Sequence, residues 1–239
     1  MESGVGSTWL DSGNARAAGS SPPLLVLSPH LDDAVLGCGR LLAAHPGSVV
    51  VTLFAGGRDD WSTLSEWDRT CGFALGEDVA AARRREDAEA MAQLGAVPYW
   101  RDLPDVTYRD GPPPTDDVVG AVVELVNDLQ PALVAIPLGL HHADHLIAAD
   151  VGLEVTRAVA PRPWLAYSDF YHLEHPEAVA PRLAELAAQG TALVPTELRR
   201  GSIRAKRNSI RRYASQRRGL GGRVEWWAAR APEQYWSPR

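Results

Sequence analysis

The chain has 239 residues, 45% of them hydrophobic, and a formal net charge of −6. That is apolar material for one large domain or two small ones, and the acidic balance argues against a protein that wraps nucleic acid as a whole. No apolar run approaches the roughly 20 residues of a membrane-spanning helix, and Cys38 and Cys71 lack the Cys-x-x-Cys spacing of a structural zinc knuckle.

Residues 1–22 are rich in Ser, Gly and Ala. They lack a basic stretch ahead of an apolar core, so they read as a disordered leader of a cytoplasmic protein rather than a secretory signal. Residues 23–239 read as a single domain. Leu24–Ser28 is a continuous apolar run ended by Pro29, the pattern of a strand buried on both faces. A helix follows from Asp32 or Asp33 towards Ala44, with Gly37 and Gly39 permitting close approach to the sheet. Ser48–Phe54 is the second strand. Arg58–Gly76 is a long segment with little periodicity, a length that favours a functional or mobile loop. Glu77–Leu94 reads as a helix, Val97–Trp100 as a short strand, Pro104–Pro114 as a loop and Asp116–Leu129 as an amphipathic helix. Ala132–Leu138 is a third buried strand, and a helix opens at His142 and runs through Val155. Trp164–Ser168 is a further strand candidate, Pro181–Gln189 is helical, and Ser202–Gln216 is a basic helix. Strands alternating with helices predict an α/β fold with a mainly parallel sheet covered on both faces.

Two motifs fall where buried strands run out. Pro29-His30-Leu31-Asp32-Asp33 follows the first strand, and His142-Ala143-Asp144-His145 follows the third buried one. Ligands of open parallel sheets bind beyond the carboxyl ends of the strands. If the two strands are neighbours, a spacing of about 5 Å puts both motifs within reach of one ion. Two imidazoles and a carboxylate make a catalytic metal site with room for water, and water on such an ion becomes a nucleophile near neutral pH. Asp32 can take its proton, a protonated His142 can stabilise the oxyanion and assist the leaving amine, and Asp144 can orient a histidine from behind.

The two motifs together resemble the PIG-L/LmbE-like zinc de-N-acetylases, whose pattern is Pro-His-Pro-Asp-Asp-Glu with a later His-Pro-Asp-His. Arg83, Glu86, Ala90, Leu94 and Gly95 resemble the family's Arg-x-x-Glu-x-x-x-Ala-x-x-x-Leu-Gly helix. Leu103-Pro104-Asp105 and Tyr213-Ala214-Ser215-Gln216 extend the likeness over roughly residues 24–216. The resemblance implies a Rossmann-like three-layer α/β fold. It implies Zn²⁺, or another divalent ion such as Fe²⁺, on His30, Asp33 and His145. It makes Asp32 the general base and His142 the oxyanion-stabilising proton donor. The implied substrate is a small-molecule N-acetylated amine on a sugar or sugar-containing natural product. Leu31, Ala143 and Ala34 depart from the pattern; Ala34, where the family has a glutamate, touches the surroundings of the metal rather than its ligands.

Other readings stay open at this level. Asp32-Asp33 is also what a helix N-cap with a first-turn acid looks like. An amidase of a larger thiol-sugar conjugate and a non-catalytic binding protein are the alternatives to a deacetylase. Arg83 and Asp105 are candidate substrate contacts, with a solvated arginine run and a turn-forming Asp as their plainer readings. Trp61 and Trp67 either anchor the long loop or wall the acceptor site. Tyr171 and His172 can approach the site from beyond the last strand candidate. Residues 199–223 carry ten Lys/Arg and no acid. With Tyr213 the sole interleaved aromatic, this segment fits an acid-paired or solvated face better than a nucleic-acid contact. A homo-oligomer is compatible with the sequence.

Overall fold

Alternation along the strands places the core on two sides of one sheet. The computed structural model describes residues 22–222 and 224–239; apart from Pro22, the expected leader lies outside the described residues. β1 (Leu24–Ser28), β2 (Val49–Thr52), β3 (Val97–Trp100), β4 (Leu133–Pro137) and β5 (Trp164–Tyr167) are joined by α1 (Asp33–Ala44), α2 (Glu66–Cys71), α3 (Val79–Ala92), α4 (Asp116–Leu129) and α5 (Ala143–Ala158). After β5 come α6 (Val179–Ala188), β6 (Leu193–Pro195), α7 (Ile203–Ile210), α8 (Ala214–Gly219), α9 (Val224–Arg230) and β7 (Tyr235–Pro238). The sheet order is β3-β2-β1-β4-β5-β7-β6. β1 to β5 are parallel, and β7 runs antiparallel between β5 and β6.

Leu24, Val26, Val50 and Ala135 point into one layer with Val35 and Leu41 of α1, Met91 of α3 and Ala228 of α9. Leu25, Leu27, Val51 and Ile136 point into the other with Val122 of α4, Val151 of α5 and Leu186 of α6. Successive side chains on opposite faces are what a two-residue period dictates, and both faces are apolar because both carry helices. β1 pairs with β2 on one side and β4 on the other. The chain therefore reverses its direction of travel across the sheet beside β1, which leaves a crevice between the carboxyl ends of β1 and β4.

Several expectations shift in detail. The 58–76 segment holds a helix, α2, started by a capping box in which Ser65 and Asp68 each bond the other's backbone N–H. The basic helix expected over residues 202–216 is two helices, α7 and α8, with Tyr213 between them buried in the core. Gly37 does approach the sheet, where an added Cβ would stand 2.8 Å from the Tyr167 ring, but Gly39 approaches Lys206 of α7 instead. α9, β6 and β7 carried no clear signal.

The lone lysine explains a break in α1. Cys38 has non-helical backbone angles, so Arg40 N donates to Glu233 Oε1 (2.8 Å), and the Leu36 carbonyl is taken by Lys206 Nζ (2.7 Å). Lys206 and Glu233 then pair at 2.8 Å, both 1% exposed. A buried ion pair thus fills the gap in the helical ladder, a recognised origin of kinks. Three more cations of the basic segment share one acid: Arg207, Arg211 and Arg217 all reach Glu225.

Candidate active site

His30 leaves β1, and Asp32 occupies the N-cap position of α1 without a side-chain capping bond. Asp33 opens the helix. Its Oδ2 accepts the His30 backbone N–H (2.9 Å), which turns the carboxylate back over the loop. The same oxygen stands 3.1 Å from His30 Nδ1 and 3.1 Å from His145 Nε2. Ligands on a tetrahedral ion with bonds of about 2.0–2.1 Å stand about 3.3 Å apart. One Asp33 oxygen thus stands between the two imidazoles at separations close to those of neighbouring ligands on a small ion. Two groups here have donor atoms close enough to one another to hold a metal, His30 with His142 and His145, and His30 with Asp105 and Asp144.

The surrounding groups hold these rings in place. Asp169 Oδ1 lies 2.5 Å from His145 Nδ1, leaving Nε2 to face Asp33. Asp144, fully buried, lies 3.0 Å from His30 Nε2 and is gripped by Arg109 and by Val106 N. The histidine that Asp144 orients is therefore His30. Asp169 and Arg109 escaped the sequence reading, although both lie at the same rim: Asp169 is two residues past β5. Gly56 and Pro104 form a bridge that holds the Asp105 loop against the site, so close that a Cβ on Gly56 would stand 2.4 Å from the Asp102 carbonyl.

Charge separates the paired carboxylates. Burial, together with the neighbouring Asp33 charge, pushes Asp32 up to about 7. Burial would raise Asp33 too, but the charge and hydrogen bond of His145, then those of His30, hold it well below the carboxylate range. Burial would lower His30 and His145; hydrogen bonds to Asp144 and Asp33 hold His30 well above its ordinary value, and Asp33 with Asp169 lifts His145 to about 9. Two adjacent carboxyls driven apart in this way are suited to different tasks.

His142 departs from expectation. The sequence suggests a protonated histidine here, whereas burial and the nearby His30 and His145 charges lower its pKa. The backbone N–H of Asp144 donates to His142 Nδ1 (3.2 Å), so that nitrogen keeps its lone pair. The ring is then neutral with its proton on Nε2, a hydrogen-bond donor rather than a cation.

His30, Asp32, Asp33, His142 and His145 open onto a cavity of about 320 Å³. Asp105, Arg83 and Trp67 also line it, as do Tyr108, Tyr171, Gln216 and Leu220. Arg83 is buried and tied to Asp68 (2.9 Å) and the Tyr108 hydroxyl (3.1 Å), so it is no part of a solvated arginine face. Trp61 is not among the lining residues; it packs edge-on against Tyr108, which is one. Tyr171 stacks parallel to His142. His172 points elsewhere, its Nδ1 on the Asp169 carbonyl.

With this geometry in view, the chain is similar to proteins already characterised. The 2'-N-acetylparomamine deacetylase of Streptomyces fradiae is 30% identical in an alignment of 141 residues that covers 52% of this chain and 48% of that protein, so the chain spans about half the length of this curated relative. The structure of A40926 pseudoaglycone deacetylase is similar with a TM-score of 0.68 and 25% identity, covering 92% of this chain and 97% of that one. A deacetylase of the teicoplanin pathway, solved with teicoplanin, shares the fold at a TM-score of 0.67 and 23% identity, over 90% of this chain and 97% of its own. Residues 25–156, which contain both the Pro29–Asp33 and the His142–His145 motifs, match the family model described as PIG-L, GlcNAc-PI de-N-acetylase, and the chain belongs to that family.

Proposed function

We propose that the chain is a metal-dependent N-deacetylase that hydrolyses an acetyl or other small acyl amide on an amino sugar or sugar-bearing natural product. The observation that carries this reading is the Asp32–Asp33 pair at the foot of the cavity. One carboxylate is held ionised between two imidazoles, and the other is tuned to about 7 beside it. The family match and the deacetylases it resembles support the same chemistry.

His30, Asp33 and His145 are the residues that would hold the ion, and two nitrogens with one carboxylate oxygen suit zinc. When bound, a divalent ion lowers the pKa of water and polarises an amide carbonyl. Asp32 takes the proton of the attacking water as its oxygen joins the carbonyl carbon. The His142 Nε2–H donates to the carbonyl oxygen as that oxygen gains charge. Asp32 returns the proton to the amide nitrogen, the C–N bond breaks, and acetate and a free amine leave. Asp105, Arg83 and Trp67 line the space available to the rest of the substrate.

The test is a panel of N-acetylglucosaminides, thiol-sugar conjugates and acylated natural products assayed for acetate and primary-amine release. Equal release of both from at least one panel member supports the proposal. Amine release without acetate or another small acid would place the chain among amidases of larger conjugates.

A further inference from the structure

The backbone that carries His30, Asp32 and Asp33 is fixed through its carbonyls. Tyr167 donates its hydroxyl to the Leu27 carbonyl (2.9 Å) and Ser28 Oγ donates to that of His30 (2.7 Å). Leu53 N takes the Ser28 carbonyl, Phe54 N that of Pro29, and Val35 and Leu36 N that of Asp32. The Leu31 carbonyl has the Tyr213 hydroxyl, 2.8 Å away. Leu31 is the peptide between the metal-binding His30 and the proton-handling Asp32, so its donor matters to both.

Tyr213 has one hydroxyl proton and two partners that want it. Its oxygen also stands 2.7 Å from Asp87 Oδ1. Asp87 is fully buried, and its other oxygen accepts the Trp100 indole N–H at 2.7 Å. Only a protonated Asp87 satisfies every atom: Asp87 donates to Tyr213, and Tyr213 donates to Leu31. An ionised Asp87 would claim the tyrosine proton and leave the Leu31 carbonyl without it. Tyr213 and Trp100 face Asp87 directly, and Asp32 acts on it through charge. Burial pushes Asp87 up to about 7, in keeping with the proton count.

We propose that Tyr213 is a positioning residue for the metal-holding turn, and that it serves as one only while Asp87 keeps its proton. The proposal rests on the reading that His30 and Asp33 bind the ion. Asp87→Asn should lock the arrangement at all pH values, because its amide N–H donates to Tyr213 and its carbonyl still accepts from Trp100. Tyr213→Phe should remove it at all pH values.

The experiment is zinc affinity of the full chain, by competition with a chromophoric chelator at pH 6 and pH 8.5, with circular dichroism on each variant. At pH 6, Asp87→Asn should match wild type and Tyr213→Phe should bind about tenfold more weakly. At pH 8.5 the order should change, with wild type falling to the level of Tyr213→Phe and Asp87→Asn about tenfold tighter than both. A merely structural tyrosine would give the same deficit at both values. Wild-type affinity in Tyr213→Phe at pH 6, or a pH-independent ratio of Asp87→Asn to wild type, would overturn the proposal. The ratio alone decides if Tyr213→Phe fails to fold. Absence of zinc binding by wild type at both pH values would instead defeat the metal reading itself.

Discussion

Asp169 Oδ1 lies 2.5 Å from His145 Nδ1, and this contact commits the opposite nitrogen to Asp33, 3.1 Å away. The tautomer and aim of the ring are thus set from the segment just past β5, outside both motifs. Partners of this kind are typically worth about 10–100-fold in metal affinity. Asp169→Asn should weaken zinc binding by that order in a chelator competition while leaving the circular dichroism spectrum unchanged.

The ligand positions make a sharper prediction. His30→Ala and His145→Ala should each lose metal and activity together, measured as ions per chain and acetate release on the same preparation. Full metal content in either variant would remove that residue from the ligand set.

Asp32 is the group expected to separate binding from turnover. Asp32→Asn should keep the metal and lose about 10²–10⁴-fold in kcat. Because Asp32 must be ionised to accept a proton, and burial with the Asp33 charge pushes it up to about 7, kcat/KM should fall on the acid side of that value. An acid limb unchanged in residual Asp32→Asn activity would argue for a different base.

The Lys206–Glu233 pair tests the scaffold. Lys206→Met removes one partner of a buried pair and should destabilise the fold by about 3–5 kcal/mol. Glu233→Gln added to it should recover part of that loss, since the stranded charge is gone. Denaturant unfolding of the two variants measures the difference.

The parts of this molecule that were legible from sequence are those whose signals are local. Leu24–Ser28 and Leu133–Pro137 are continuous apolar runs, and His30, Asp33, His142 and His145 sit directly after them. The topology then needed only that β1 and β4 be neighbours, which they are. α2 could have been found, since Ser65-x-x-Asp68 is a capping signature that little periodicity concealed. Asp169 and Arg109 could not be assigned roles, because their partners, His145 and Asp144, come from distant segments. The break between α7 and α8 is a tertiary effect as well. Tyr213 is drawn inward to Leu31 and Asp87, and Ser215 is held by Glu86 of α3. That break lets Gln216 and Leu220 line the cavity, which an unbroken surface helix would not have suggested.

If an ion on His30, Asp33 and His145 enables amide hydrolysis, activity must follow metal content. The measurement is acetate release from the best panel substrate after the full chain is stripped with a chelator and zinc is restored in steps. Release should be absent from the stripped chain, rise to saturation at one ion per chain, and stay absent in His145→Ala. Undiminished release from the stripped chain would rule out a metal-dependent reaction.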